Sequence, residues 1–311
     1  MERKSKIYIA GHQGMVGKKL HRTLIKKGFE NIIVVPSKQV DLRNQEETNK
    51  FINNNQPDYI FLLAARVGGI QANLNFPGEY LYDNLMISAN VIEAARQNKI
   101  KKLIFVGSSC IYPRLSIQPM KEEYLLSGKL EQTNEGYAVG KIAGLKLCEY
   151  YKKQYGCNFI SAMPPNIYGP EDSFSINNSH VISALIQRFH NGKVENAEEV
   201  VLWGTGKARR EFLFAKDAAD GLIFLMGNYN GESHINMGSG ADISIKELSI
   251  IIKDIVGFKG EILWDSTKPD GMPQKLLDSY RINDLGWTPQ TTLIDGLKIT
   301  YKWYLENYGK I

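Results

Sequence analysis

The short apolar run Ile7-Tyr8-Ile9-Ala10 ends on Gly11, and glycines recur at positions 14 and 17, where a helical pattern begins. Few backbones other than a β-α unit satisfy that combination. Gly11 permits a tight turn after the strand, Gly14 lets backbone approach a phosphate, and Gly17 lets the helix lie close on the sheet. The helix amino terminus then offers free N–H groups and the positive end of its dipole to an anion. A plain glycine turn fits the same letters, but the strand before and the helix after argue against it.

The same rhythm runs through the first half of the chain. Residues 16–27 carry Val16, Leu20 and Leu24 at helical spacing with basic residues between. A second strand is predicted over 31–35, a polar helix over 46–53 and a third strand over 59–64. A helix over 82–98, a strand over 102–106, a helix bearing Tyr137 and a strand over 159–163 follow. Continuous apolar strands alternating with helices predict a parallel sheet covered on both faces. The fold class is therefore α/β, a Rossmann-like doubly wound sheet.

After Pro164-Pro165 the rhythm breaks. Residues 166–178 are rich in Asn, Ser, Pro and Gly and predict a loop over a site. Residues 181–189 predict a helix, with Val181, Leu185 and Phe189 on one stripe. Segments 203–214 and 263–275 mix aromatic and basic residues. The expected division is a nucleotide-binding domain over 1–165 and a smaller C-terminal α/β substrate lobe over 166–311. A segment near 230–240, centred on 233–237, is expected to return to the main sheet.

A net charge of +5, with Lys and Arg scattered, argues against nucleic acid as a partner and suits a small anionic ligand. Four of the first six residues are charged, and the apolar run after them is too short for a signal peptide. No stretch approaches the roughly 20 apolar residues of a membrane span. The three cysteines, Cys110, Cys148 and Cys157, lack metal-type spacing. A reduced, cytoplasmic protein with no metal is expected.

Tyr137 and Lys141 stand four apart and share a helix face. A lysine there can lower the phenol's pKa and hold a nicotinamide ribose, so that Tyr137 exchanges a proton with a substrate oxygen while hydride moves at the adjoining carbon. Ser108, at a strand end about thirty residues upstream, would hydrogen-bond the same oxygen. Cys110 lies two residues further on, and His180 opens the helix after the loop. A thiolate and an imidazole can act as base and acid at carbons next to a ketone, although a packed thiol and a helix-capping histidine fit the same positions. The second strand leads to Pro36-Ser37-Lys38 with no carboxylate for a ribose 2′-hydroxyl. A hydroxyl and a lysine there favour the 2′-phosphate of NADPH; a solvent-facing Lys38 is the alternative.

The glycine spacing, the Tyr-x-x-x-Lys pair and the upstream serine resemble the extended short-chain dehydrogenase/reductases that modify nucleotide sugars. Longer strings narrow the resemblance: Ala10-Gly11-His12, Val67-Gly68-Gly69-Ile70, Gly107-Ser108-Ser109-Cys110-Ile111-Tyr112-Pro113, Lys141-Ile142-Ala143-Gly144, Asn178-Ser179-His180-Val181, Arg210-Glu211-Phe212-Leu213 and Lys268-Pro269-Asp270-Gly271. Over nearly the whole chain it resembles the GDP-L-fucose synthase family, which epimerises carbons 3 and 5 of GDP-4-keto-6-deoxymannose and reduces carbon 4. The resemblance implies Tyr137, Lys141 and Ser108 as the reductase trio, with Cys110 and His180 as base and acid of epimerisation. It implies NADP(H) against Gly11, Gln13, Gly14, Met15, Val16, Gly17, Ser37, Lys38, Ala64, Lys141, Asn166 and His180. Arg188, Trp203, Arg210, Asp270 and Lys275 would hold the GDP end, and two chains would pair through the helices near 82–98 and 137–155.

Some positions depart from the family pattern. Gln13 replaces a common basic residue, Ser37 an arginine, Pro165 a threonine, and Phe214-Ala215-Lys216-Asp217 a usual His-Val-Asp-Asp. The last two motivate an alternative, a GDP-4-keto-heptose 4-reductase that does not epimerise. A non-catalytic NADP-binding protein is a more distant one, set against the intact Tyr–Lys pair. Dehydratase chemistry lacks its paired acid after Ser108.

Overall fold

The computed structural model describes residues 1–174 and 180–309. Its main sheet is parallel and six-stranded. The strands are β1 (Lys6–Ala10), β2 (Asn31–Ile33), β3 (Tyr59–Leu62), β4 (Lys102–Val106), β5 (Phe159–Met163) and, from much later in the chain, β9 (Ile235–Asn236). Their order is β2-β1-β3-β4-β5-β9. The winding reverses between β1 and β3, and such sheets bind ligands in the crevice outside the strands' carboxyl ends at that point. The expected doubly wound fold is the observed one.

The helices between these strands are α1 (Met15–Lys26), α2 (Gln45–Asn55), a short α3 (Ile70–Asn75), α4 (Pro77–Gln97) and α5 (Glu135–Tyr155). One face of the sheet buries Tyr8, Ile60, Leu62 and Phe105 beneath α4 and α5, with Val91, Ala95, Ile142 and Leu145. Each such fully buried side chain stabilises the fold by about 1.5–3 kcal/mol. Helix α4 begins before the predicted 82. Pro77 occupies its first turn, where the missing N–H is no loss; in the sequence, Pro77-Gly78 reads as a turn.

The opposite face buries Ile7, Ile9, Phe61 and Ile104 with Leu20 and Leu24 of α1 and with Ala218, Leu222 and Leu225. The last three belong to α7 (Ala215–Asn228), which packs on α1. More of the later chain joins the main sheet than the stretch near 230–240. One reason is Lys102, the buried first residue of β4. Its Nζ donates to Leu225 O, Met226 O and Tyr229 O at 2.6–3.0 Å, at the carboxyl end of α7. The last carbonyls of a helix need partners from outside it, and burial pushes the lysine down to about 8.

The remaining chain forms β6 (Asn166–Tyr168), α6 (Val181–Val194), β7 (Glu199–Trp203), β8 (Arg209–Phe214), β10 (Asp242–Ser244), α8 (Ile245–Val256), β11 (Glu261–Asp265), β12 (Gln274–Lys275), α9 (Tyr280–Asp284) and α10 (Leu293–Asn307). Strand β8 is the hub: β10 and β12 flank it, β6 pairs further along it, and β7 and β11 make a separate parallel pair. A third core of Phe189, Phe212, Leu248, Ile252 and Tyr301 joins α6, α8 and α10 to it. Residues 166–168 were expected to be loop. Their strand character comes from pairing with Phe212–Phe214, which local sequence does not carry. Part of the predicted loop, 175–178, lies outside the described residues, as do Asn178 and Ser179 of the quoted string.

Candidate active site

At the crevice, Gly11 has φ +95, and a Cβ there would meet Ala64 N at 2.7 Å. Ala64 is held in place by donating from its N to Ala10 O at 2.9 Å. A Cβ on Gly17 would lie 2.1 Å from Gly11 O, so only glycine lets α1 start this close to β1. Gly14 differs: a Cβ would meet nothing nearer than Gly11 O at 3.5 Å, and the residue is exposed beside Gln13. The amino terminus of α1, with Met15 and Val16 in its first turn, has neither a side-chain cap nor an acidic residue. Bare N–H groups and a glycine surface open to approach fit a pyrophosphate. Ser37 and Lys38 are exposed after β2. The first acid beyond them, Asp41, is engaged by Arg43, with Nη2–Oδ2 at 2.7 Å. The residues present therefore fit NADP better than a cofactor whose 2′-hydroxyl needs a free carboxylate.

Ser108 lies two residues beyond β4, where the chain turns. Its Oγ accepts from Cys110 N at 3.2 Å, while Ser109 N donates to Pro164 O. That fixes the hydroxyl near Tyr137 on α5. Burial pushes the Tyr137 phenol up, a thiolate charge at Cys110 adds to this, and the Ser108 hydroxyl draws it down. Lys141, one turn on, is 2% exposed; its Nζ donates to Val106 O at 2.8 Å and lies 5.9 Å from the Tyr137 ring centroid. Burial pushes it down to about 7. The expected direct lowering of the phenol by Lys141 is thus not what the geometry gives, because the ammonium turns to a carbonyl in dry surroundings.

The half-buried Cys110 has two nitrogens on its sulfur: Lys275 Nζ and Asn134 Nδ2, each at 3.1 Å. Burial raises the thiol, but the Lys275 charge and hydrogen bonds from Ser108, Lys275 and Asn134 outweigh it and hold it below its usual value. His180 directly precedes α6 without a side-chain capping bond, and its Nδ1 faces Asp172 Oδ1 at 3.5 Å. Asp172 is itself buried and accepts a short bond from the Ser183 hydroxyl. Its carboxylate holds the imidazole above its usual value against the opposing effect of burial.

The outer residues divide. Arg188 donates to Val201 O at 2.7 Å and lies over Trp203, whose ring Lys268 also approaches at 5.6 Å. Trp203 is half exposed and Lys268 exposed, so an aromatic face with two cations stands open at the end of β7. Arg210 is tied to Asp270 O, but the Asp270 carboxylate is taken by Thr205 N and Oγ1 at 2.8 and 2.7 Å. Lys275, grouped above with the GDP end, has its Nζ 3.1 Å from the Cys110 sulfur. Asn166 lies on β6, in register with Phe212.

Sequence reasoning missed Asn134, Asp172 and Lys268. Asn134 directly precedes the helix of Tyr137, a weak signal; Asp172 had none beyond its place in the loop. Among the described residues no trio of His, Cys, Asp or Glu is placed to hold a metal, and no helix is long and apolar enough to cross a membrane.

A parallel sheet with a glycine phosphate cradle at its switch point, next to a Ser–Tyr–Lys trio, defines a dinucleotide-dependent oxidoreductase of the extended short-chain type. The model of the "NAD dependent epimerase/dehydratase family" matches residues 7–238. A probable GDP-L-fucose synthase 1 of Oryza sativa subsp. japonica is 51% identical over 97% of this chain and 92% of the relative. Among solved structures, a GDP-6-OMe-4-keto-L-xylo-heptose reductase from C. jejuni is 38% identical with a TM-score of 0.95, covering 98% of this chain and 99% of that one. A GDP-L-fucose synthetase from Naegleria fowleri bound to NADP is 28% identical with a TM-score of 0.91, covering 100% and 97%. The chain belongs to the NAD dependent epimerase/dehydratase family and, within it, to the GDP-L-fucose synthase family.

Proposed function

We propose that this chain uses NADPH to reduce carbon 4 of a GDP-4-keto-6-deoxy sugar and also epimerises carbons 3 and 5, giving GDP-L-fucose or a close relative. The observation that carries the reading is the meeting of two sets of groups in one site. Ser108, Tyr137 and Lys141 can serve a ketone oxygen, and Cys110 and His180 can serve the carbons beside it.

Cys110, as a thiolate, takes the proton from a carbon next to the ketone, and Ser108 and Tyr137 stabilise the negative charge that develops on the oxygen. His180, protonated beside Asp172, returns a proton to that carbon. NADPH, when bound, supplies hydride to carbon 4. Tyr137 then donates its proton to the oxygen that Ser108 orients. Lys141 has three N–H donors, one of them on Val106 O, which leaves capacity for a ribose hydroxyl. The bare amino terminus of α1 receives the pyrophosphate, Ser37 and Lys38 the 2′-phosphate, and Arg188, Trp203 and Arg210 the GDP end.

NADPH oxidation with GDP-4-keto-6-deoxymannose in deuterated water tests the whole reading. Turnover with deuterium at carbons 3 and 5 is expected. The C. jejuni heptose reductase likeness and the departures at Pro165 and Phe214 support a second reading, a reductase without epimerisation; turnover with no deuterium would establish it in place of the first.

Asp172 supplies a pH prediction. His180 must be protonated to act as the acid, so exchange falls as pH rises through its pKa, which Asp172 raises. In Asp172→Asn that fall should move to lower pH when the exchange rate is profiled against pH; an unmoved limb would rule out His180 as the acid.

We also infer a cytoplasmic homodimer. Tyr82 and Leu85 of α4 and Val139, Tyr150 and Tyr155 of α5 are exposed on neighbouring helices, a concentration of apolar surface that favours pairing, and all three thiols are free.

A further inference from the structure

The pairing of Lys275 with Cys110 goes beyond the role the family resemblance gives that lysine, and it rests on the reading of Cys110 as a base. Lys275 is 7% exposed and sits on β12 in register with Arg210 of β8. A lysine stem so confined has little freedom to follow a mobile diphosphate, and its ammonium has a partner already, the thiol sulfur at 3.1 Å. Asn134 gives an independent sign. It is the residue before the first turn of α5, where an asparagine side chain ordinarily caps the helix, worth about 1 kcal/mol. Here it makes no cap, and its Nδ2 turns to Sγ at 3.1 Å instead.

Two N–H donors from unconnected elements thus converge on one sulfur, 24 and 165 residues away in sequence. Such an arrangement stabilises a negative sulfur far more than a neutral one. The groups facing Sγ from all sides are Ser108 from its own turn, Asn134 and Tyr137 from the α5 side, His180 from α6, Arg210 from β8 and Lys275 from β12.

We propose that Lys275 is the positioning residue that holds Cys110 as a thiolate, so that it meets the substrate ready to remove the proton beside the ketone. The thiolate takes that proton as the C–H electron pair moves towards the ketone, leaving Cys110 neutral and the oxygen negative. Lys275 itself transfers nothing.

Alkylation of Cys110 by iodoacetamide, followed across pH by mass spectrometry so that Cys148 and Cys157 are counted separately, tests the pairing without any substrate. In Lys275→Met the alkylation midpoint should rise by about one pH unit or more, cutting the neutral-pH rate roughly tenfold. Lys275→Arg should restore part of it. Asn134→Ala should shift the midpoint in the same direction by less, and stands as the test if Lys275→Met does not fold. In parallel, deuterium exchange should lose kcat in Lys275→Met, whereas a lysine serving only the diphosphate would raise KM alone. An unmoved midpoint, or a pure KM effect, overturns the proposal. A midpoint shifted by Lys275→Met, when the wild-type protein never exchanges deuterium, leaves the pairing standing and removes Cys110 as the base.

Discussion

Tyr137→Phe should lower NADPH-dependent reduction by roughly 10³-fold, within the range that one general acid contributes. The substitution removes a single oxygen from a half-buried ring and leaves the Ser108 turn and Lys141 in place. Deuterium exchange at carbons 3 and 5 should persist at a reduced rate, because Cys110 and His180 still flank the ketone while one stabiliser of the developing oxyanion is gone. Stopped turnover with continuing exchange would separate the two half-reactions within one protein. Near wild-type reduction by the variant would remove Tyr137 from the mechanism altogether.

Gly17→Ala and Gly14→Ala should behave oppositely, although they sit three residues apart in the same turn. At Gly17 the new methyl would lie 2.1 Å from Gly11 O and 2.8 Å from His12 Cα, contacts with backbone that no side-chain movement relieves. Strain of this kind costs about 3 kcal/mol, a fall in Tm of roughly 5–10 °C for a chain this long, together with loss of NADP binding. At Gly14 the backbone is extended, φ −73 and ψ 163, which alanine adopts freely, and the space is open. Tm should stay within about 1 °C of the wild type, while NADP affinity drops because the methyl stands where a phosphate would approach. Calorimetry with a binding titration checks both, and a stable Gly17→Ala protein that binds NADP would show that the cradle is not built as described.

The main sheet was legible because its inner strands are buried on both faces and so read as continuous apolar words, as Leu103, Ile104 and Phe105 do. The glycine turn was legible because its three positions fall within seven residues. What sequence could not give is convergence. Asp172 facing His180 and the sulfur shared by Asn134 and Lys275 depend on where β12, α5 and α6 come to rest, and no local period encodes that. The entry of α7 into the main sheet was missed for a related reason: the apolar stripe of α7 reads alike whichever sheet it covers, and its anchor, Lys102, looks like an ordinary polar strand edge.

The chain passes between the main sheet and the third core again and again: after β5, directly from β8 into α7 at Phe214–Ala215, after β9, after β12 and once more before α10. An architecture stitched in this way cannot trade its sugar-side half for another by a single recombination, since every stitch would have to be cut and rejoined in register. New substrate preferences in such a lineage must therefore arise by substitution in place, and the departures at the buried Pro165 and Phe214 are changes of that kind.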